Sequence, residues 1–202
     1  SPGLGYRRVR IADATGMLTD RDLVRLPDAE REKCVLERLL GSAVDDLPGR
    51  PSVETSLHAF LGRAVAHTHP AAANGICCTR NGAALARKWF SRDFGEPLFL
   101  PYVDPGLPLA RSTWRRVRGY RRVHGALPIL VFLANHGVFV SAENGEDALQ
   151  ITQRVDDAVR GRYRQAVRRD RGKHAIPARG CPREMPQRIV RAIRTVWGEA
   201  LK

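Results

Sequence analysis

The stretch "PILVFLANHGVFV", residues 128–140, constrains the fold more than any other part of the chain, because it is apolar almost without a break and dense in β-branched and aromatic side chains. A run of this length and composition suits a buried strand, a turn at residues 135–137 and a second strand. The flanking sequence supplies helices to cover such strands. After Asp28, placed to cap a helix, Val35, Leu36, Leu39 and Leu40 recur at helical spacing until Gly41. A second amphipathic helix is expected from about Ser52, with Leu57, Phe60, Leu61 and Ala64 on its apolar face. "GAALARKWF" and "GEDALQITQRVDDAVRGRYRQAV" read as further helices. "AVAHTH" and "PLFLPYV" read as short strands, the latter stopped by "DPG". Short strands alternating with helices predict an α/β fold, a sheet covered by helices. Prolines and a glycine break up "KHAIPARGCPREMP", so a linker is expected there, before a last short helix, "QRIVRAIRTVWGEAL".

With 202 residues and 43% apolar content, the chain suits one domain with a substantial core. No apolar run approaches the ~18 residues of a membrane span. The first residues, "SPGLGYRRVR", lack a signal-peptide pattern, and Cys34, Cys77, Cys78 and Cys181 have no framework spacing. A reduced, cytoplasmic protein is the simpler expectation. The net charge of +13 invites nucleic acid as a partner, but residues 151–202 alone hold 14 Lys and Arg against 5 Asp and Glu. That segment carries a single aromatic before its linker, Tyr163, and no zinc-finger or RNA-recognition signature. A solvated basic helix and tail is therefore the simpler reading, and nucleic acid is not the expected partner. Trp114, amid "RSTWRRVRGYRR", is expected to stack on its arginine neighbours, whereas Trp89, Phe90 and Phe94 should enter the core. His124 and His174 are placed in basic loops, and the adjacent Cys77 and Cys78 read as small buried residues.

The chemistry concentrates in "HTHP". On a strand, residues i and i+2 share a face, so His67 and His69 aim at one point while Thr68 faces away. Pro70 places the pair at a strand end, where open sites lie. His136, in the turn of the apolar hairpin, is the best candidate for a third ligand. A metal held by three neutral imidazoles keeps its full charge and an open position, and can polarise a carbonyl or stabilise an enediolate. Glu54, at the start of the helix leading into the histidine strand, could move protons beside it, and the free amides there, with the Ser52 hydroxyl, could bind an anion.

Together "PSVETSLHAFLGRAVAHTHPAAANGI", "PYVDPG" and "LANHGVFVSAENGEDAL" resemble the class II aldolase/adducin family. The likeness is strongest to the aldolase domain of bifunctional rhamnulose-phosphate aldolase/dehydrogenase proteins, in which a Pro-Ser-x-Glu-Thr segment leads into His-Thr-His. It covers residues 48 to about 155. The resemblance implies a three-layer α/β/α domain with a central, mostly antiparallel sheet, here followed by a basic helical C-terminal extension. It implies that His67, His69 and His136 bind a divalent metal, usually zinc, and that Glu54 is the catalytic acid/base. Tyr102 falls where some members place a proton-donating tyrosine in a neighbouring subunit's site. Ser52 matches part of a phosphate-contacting loop whose second serine is Val53 here. The expected organisation is an N-terminal part of the domain over 1–47, apparently shortened, an aldolase-like metal-binding domain over 48–165, and a basic linker and C-terminal helix over 166–202.

These implications define a zinc-dependent lyase that cleaves or forms a carbon–carbon bond in a ketose or ketose phosphate through an enediolate, assembled as a homotetramer. A sugar-phosphate 4-epimerase shares that enediolate and stays open as an alternative. So does a non-enzymatic, adducin-like scaffold, although such a domain is expected to lose the metal ligands retained here. No nucleotide-binding glycine turn follows, so a dehydrogenase part is not expected.

Overall fold

A computed structural model gives the protein's structure and describes residues 7–171. The expected linker, the last helix, His174 and Cys181 lie outside the described residues. In chain order the elements begin with α1 (Ile11–Gly16), α2 (Arg21–Arg25), α3 (Asp28–Gly41), α4 (Thr55–His58), β1 (Ala64–Thr68) and α5 (Ala71–Cys77). They continue with α6 (Gly82–Phe94), β2 (Leu98–Leu100), α7 (Leu107–His124), β3 (Leu130–Leu133), β4 (Gly137–Ala142) and α8 (Gly145–Arg171). None of the described helices is long and apolar enough to cross a membrane.

These elements form two compact units. Among the described residues, one draws on 7–62 and 103–127, the other on 63–102 and 128–171. The first is helical. Asp20 starts α2 by accepting hydrogen bonds from the Asp22 amide at 2.9 Å and the Leu23 amide at 3.2 Å, so two of the helix's orphan donors are satisfied. Asp28 does not cap α3. Pro27 holds that position, and Asp28, already inside the helix, pairs with Arg31. The α3 stripe buries Val35 and Leu39 but leaves Leu40 44% exposed, so it is narrower than its spacing suggests. The helix expected from Ser52 to Ala64 is reduced to the single turn α4, and Ala64 belongs to a strand. Leu57 and Leu61 are still fully buried, so the apolar spacing reports burial here and not helix length. Leu107–His124, left unassigned in the sequence, form α7. Pro108 sits in its first turn and Gly125, left-handed at φ 73°, closes it. His124 is thus a helix end, stacked on Tyr120, and not a loop residue.

The second unit is built on the apolar hairpin. Its sheet has the order β1-β4-β3-β2, antiparallel except for the parallel pair β2–β3. The turn falls where the sequence placed it, with Asn135 left-handed at φ 53°. The expected strand "PLFLPYV" contracts to β2, with the exposed Pro101 and Tyr102 beyond it. One face of the sheet, carrying Ala66, Leu130, Phe132, Val138 and Val140, packs against α5, α6 and α8 through Ile76, Phe90, Val155 and Val159. Phe90 stacks on Phe132 at 5.8 Å, and burying an aromatic of this size contributes about 2–3 kcal/mol. Trp89 only flanks this core, while Phe90 and Phe94 enter it. Val131, Leu133 and Phe139, on the opposite face, are also out of solvent. A strand run apolar on both faces is thereby explained. Asn144 caps α8 by accepting from the Asp147 amide at 2.9 Å, with Glu146 and Asp147 at the favourable end of the helix dipole.

Candidate metal centre

β1 is registered antiparallel to β4, with His67 opposite Phe139 and Thr68 opposite Val138. The pleat therefore sends Thr68 to the helix-covered face and His67 to the other, as period-two alternation requires. The imidazole of His67 stacks on the Phe139 ring with centroids 3.9 Å apart and planes within 12°. Its Nδ1–H donates to the Val138 carbonyl at 3.2 Å. Those contacts fix both the ring and its tautomer, and they leave the Nε2 lone pair pointing away from the strand.

Two other ring nitrogens converge on that lone pair. His69 Nε2 lies 3.0 Å and His136 Nε2 3.3 Å from His67 Nε2, although His136 is 69 residues further along the chain. All the ligand atoms of the trio fall within 4.8 Å of one another. A tetrahedral ion with nitrogens at 2.0–2.1 Å holds its ligands roughly 3.3 Å apart, close to the spacing found. Neutral imidazoles alone fit less well: one lone pair accepts one N–H, whereas a shared cation satisfies all three nitrogens at once. The residues present therefore fit a divalent metal. His67 and His136 are half-buried and His69 is exposed, so the cluster is open on the His69 side. A closed structural site would have no such opening.

The backbone around the trio is closely fitted. At Gly137, directly after His136, a Cβ would overlap the His69 ring and lie 2.8 Å from the Thr68 carbonyl oxygen. Only glycine lets the two strand ends close on each other. The end of α5 holds the turn in place: the Asn135 amide donates to the Cys77 carbonyl at 3.0 Å, and the Cys77 thiol donates to the Gly137 carbonyl at 3.3 Å. Burial, helped by the neighbouring Cys78, pushes the Cys77 thiol up to about 12. It acts as a neutral donor. Cys77 is buried as expected, but Cys78 is exposed, which corrects the reading of both as buried. The roles of Cys77, Phe139 and Gly137 were not read from the sequence. The motif Asn-His-Gly carried a signal for Gly137; nothing linear connects Cys77 to the turn 58 or more residues away.

The other candidates occupy their own places. Ser52 is exposed, and its hydroxyl accepts from the Glu54 amide at 3.2 Å. Glu54 is half-buried at the N-cap position of α4, where its carbonyl accepts from the Leu57 amide at 2.8 Å. Because α4 is one turn, the expected pool of free helix amides at Glu54 is small. Ser52 and Glu54 belong to the first unit; the histidines and Tyr102, which is 53% exposed, belong to the second.

The family model described as Class II Aldolase and Adducin N-terminal domain matches residues 8–163. The chain belongs to this class II aldolase/adducin family. The match takes in residues 8–47, beyond the part where the motifs lie. A solved structure of the N-terminal class II aldolase domain of a conserved protein from Thermoplasma acidophilum is similar at a TM-score of 0.61 and 24% identity, over 78% of this chain and 66% of that one. That likeness bears on the fold, a class II aldolase domain with a mostly antiparallel sheet. A Bacillus subtilis (strain 168) protein named as an uncharacterized oxidoreductase, YuxG, is 33% identical over 129 residues, 63% of this chain. The chain spans only 17% of that relative's length.

Proposed function

We propose that the protein is a divalent-metal-dependent lyase, with zinc as its metal, acting on a ketose or ketose phosphate by cleaving or forming a carbon–carbon bond. The observation that carries this reading is the convergence of the Nε2 atoms of His67, His69 and His136, from two strand ends, with an open side at His69. A divalent cation bound there supplies Lewis-acid polarisation of a substrate carbonyl. The chain's own residues do the rest. Stacking on Phe139 and the bond to Val138 hold His67 so that its lone pair is presented without rotation. Glu54, placed by the family resemblance, takes and returns the proton at the substrate carbon next to the carbonyl. Tyr102, in the site of a neighbouring copy, donates a proton to the aldehyde oxygen when the carbon–carbon bond forms and takes the hydroxyl proton back when it breaks, in keeping with its exposure and with a homotetramer. Ser52 contacts the substrate's phosphate or a terminal hydroxyl. The setting is the cytoplasm, which keeps the cysteines reduced.

The test is an aldol-cleavage assay on zinc-loaded protein across a panel of ketose phosphates, with product identity recorded. Aldehyde and three-carbon ketone products that fall at least 100-fold in Glu54→Gln support the lyase, a loss of the size general acid–base catalysis provides. An inverted sugar with no cleavage would identify an epimerase. A protein that holds zinc yet turns over no sugar in the panel contradicts the enzymatic reading and favours a scaffold.

A further inference from the structure

A cavity in the helical unit is built from none of the residues placed in the candidate metal centre or the proposed reaction. Arg111, Ser112 and Arg115 of α7 and Arg31 of α3 line a cavity of about 200 Å³, with Leu107 and Pro108 forming an apolar wall. No carboxylate lines it. We infer that this cavity binds the phosphate group of a small phosphorylated molecule.

The first argument is the cost of the arrangement without a ligand. Arg111 and Arg115 are four residues apart on α7 and so share a face, a repulsive pairing of like charges. Arg118 and Arg122 continue the same stripe, and α7 contains no acidic residue at all. Burial, and next the charge of Arg115, hold the Arg111 guanidinium below its ordinary range.

The second argument is how the donors are already used. Arg31 has a side chain only 15% exposed, donates to the Leu26 carbonyl at 3.2 Å and pairs with Asp28, itself 87% exposed. Arg111 donates to the Asp20 carbonyl at 2.7 Å, while the Asp20 carboxylate is taken by Arg38 at 2.6 Å. These contacts fix Arg31 and Arg111 and leave part of each guanidinium fork unspent. Arg115 enters no ion pair or hydrogen bond among the described residues. Arg118, by contrast, lies 4.7 Å over the Trp114 ring. Guanidinium groups from two helices and a hydroxyl line the cavity together, a donor set that suits the several acceptor oxygens of a phosphate. The apolar wall of Leu107 and Pro108 suits a short carbon portion.

The test is calorimetric titration of the full chain with inorganic phosphate and with glycerol 3-phosphate at physiological salt, acetate serving as the planar anion. The His67→Ala variant is titrated in parallel, so that phosphate captured through the histidines is separated from phosphate in the pocket. Saturable binding of about one phosphate per chain, unchanged in His67→Ala and Arg92→Gln but weakened about tenfold in Arg115→Gln, supports the site. Arg115 holds no other group in place, so Arg115→Gln folds; Ser112→Ala gives a second, smaller loss. Absence of saturation at millimolar phosphate, or equal binding by Arg115→Gln, overturns it. A duplex oligonucleotide that depends on Arg115 while inorganic phosphate does not bind also overturns it, assigning the α7 stripe to a nucleic-acid backbone instead.

Discussion

At Gly137 the backbone leaves no room for a side chain, and this is where the fold and the candidate chemistry depend on the same atoms. Gly137→Ala would push a methyl group into the His69 ring and the Thr68 carbonyl. Destabilisation of about 1–3 kcal/mol is expected, together with weaker metal binding, measured by thermal melts with and without zinc. An intact melt and unchanged zinc affinity would show that the strand ends can separate at little cost. Cys77 makes the contrasting case. Its buried, neutral thiol should resist iodoacetamide at pH 8 while the exposed Cys78 reacts, a difference read by mass spectrometry of the native protein. Equal labelling would mean that the α5 end opens and that the bond to Gly137 is not kept.

At the scale of elements, linear patterns were legible where one interaction dominates. The apolar run at 128–140 had only one way to bury both faces, so the hairpin, its turn at Asn135 and the pairing of His67 with His69 across Thr68 followed from side-chain type and spacing alone. The segment after Ser52 was misread because Leu57 and Leu61 are buried from a turn as effectively as from a helix. The α3 cap was misread because Pro27, lacking a donor, starts a helix as well as an aspartate does. A thiol-to-carbonyl bond such as Cys77 to Gly137 leaves no periodic trace. The loop side of the helical unit has its own electrostatic signature. Arg38, and then the Leu23 and Asp22 amides, hold the Asp20 carboxyl below its ordinary value, and the Arg8 amide, first among several donors, does the same for Asp45. A carboxyl with a lowered folded pKa adds stability that is fully present above its unfolded value and is lost as pH falls through the folded one. The melting temperature should therefore drop below about pH 4, and the gap between wild type and Asp45→Asn should close over that same interval. A gap that stays constant with pH would remove these carboxylates from the account.

At the scale of the whole molecule, family membership settles the fold, while the reaction rests on whether the histidine cluster holds an ion. Glu54 is assigned to the reaction by the family resemblance alone, and the relative named as an oxidoreductase extends far beyond the portion matched here. Metal binding is thus the most direct handle. The deciding measurement is a cobalt(II) titration of metal-free protein followed by its visible spectrum, since a low-coordinate nitrogen site gives much more intense bands than the hydrated ion. Saturation at about one equivalent, reversed by zinc and abolished in both His67→Ala and His136→Ala, is the predicted result. A folded protein whose cobalt spectrum stays that of the free ion, or is the same in those variants, would contradict the claim that these imidazoles share one cation.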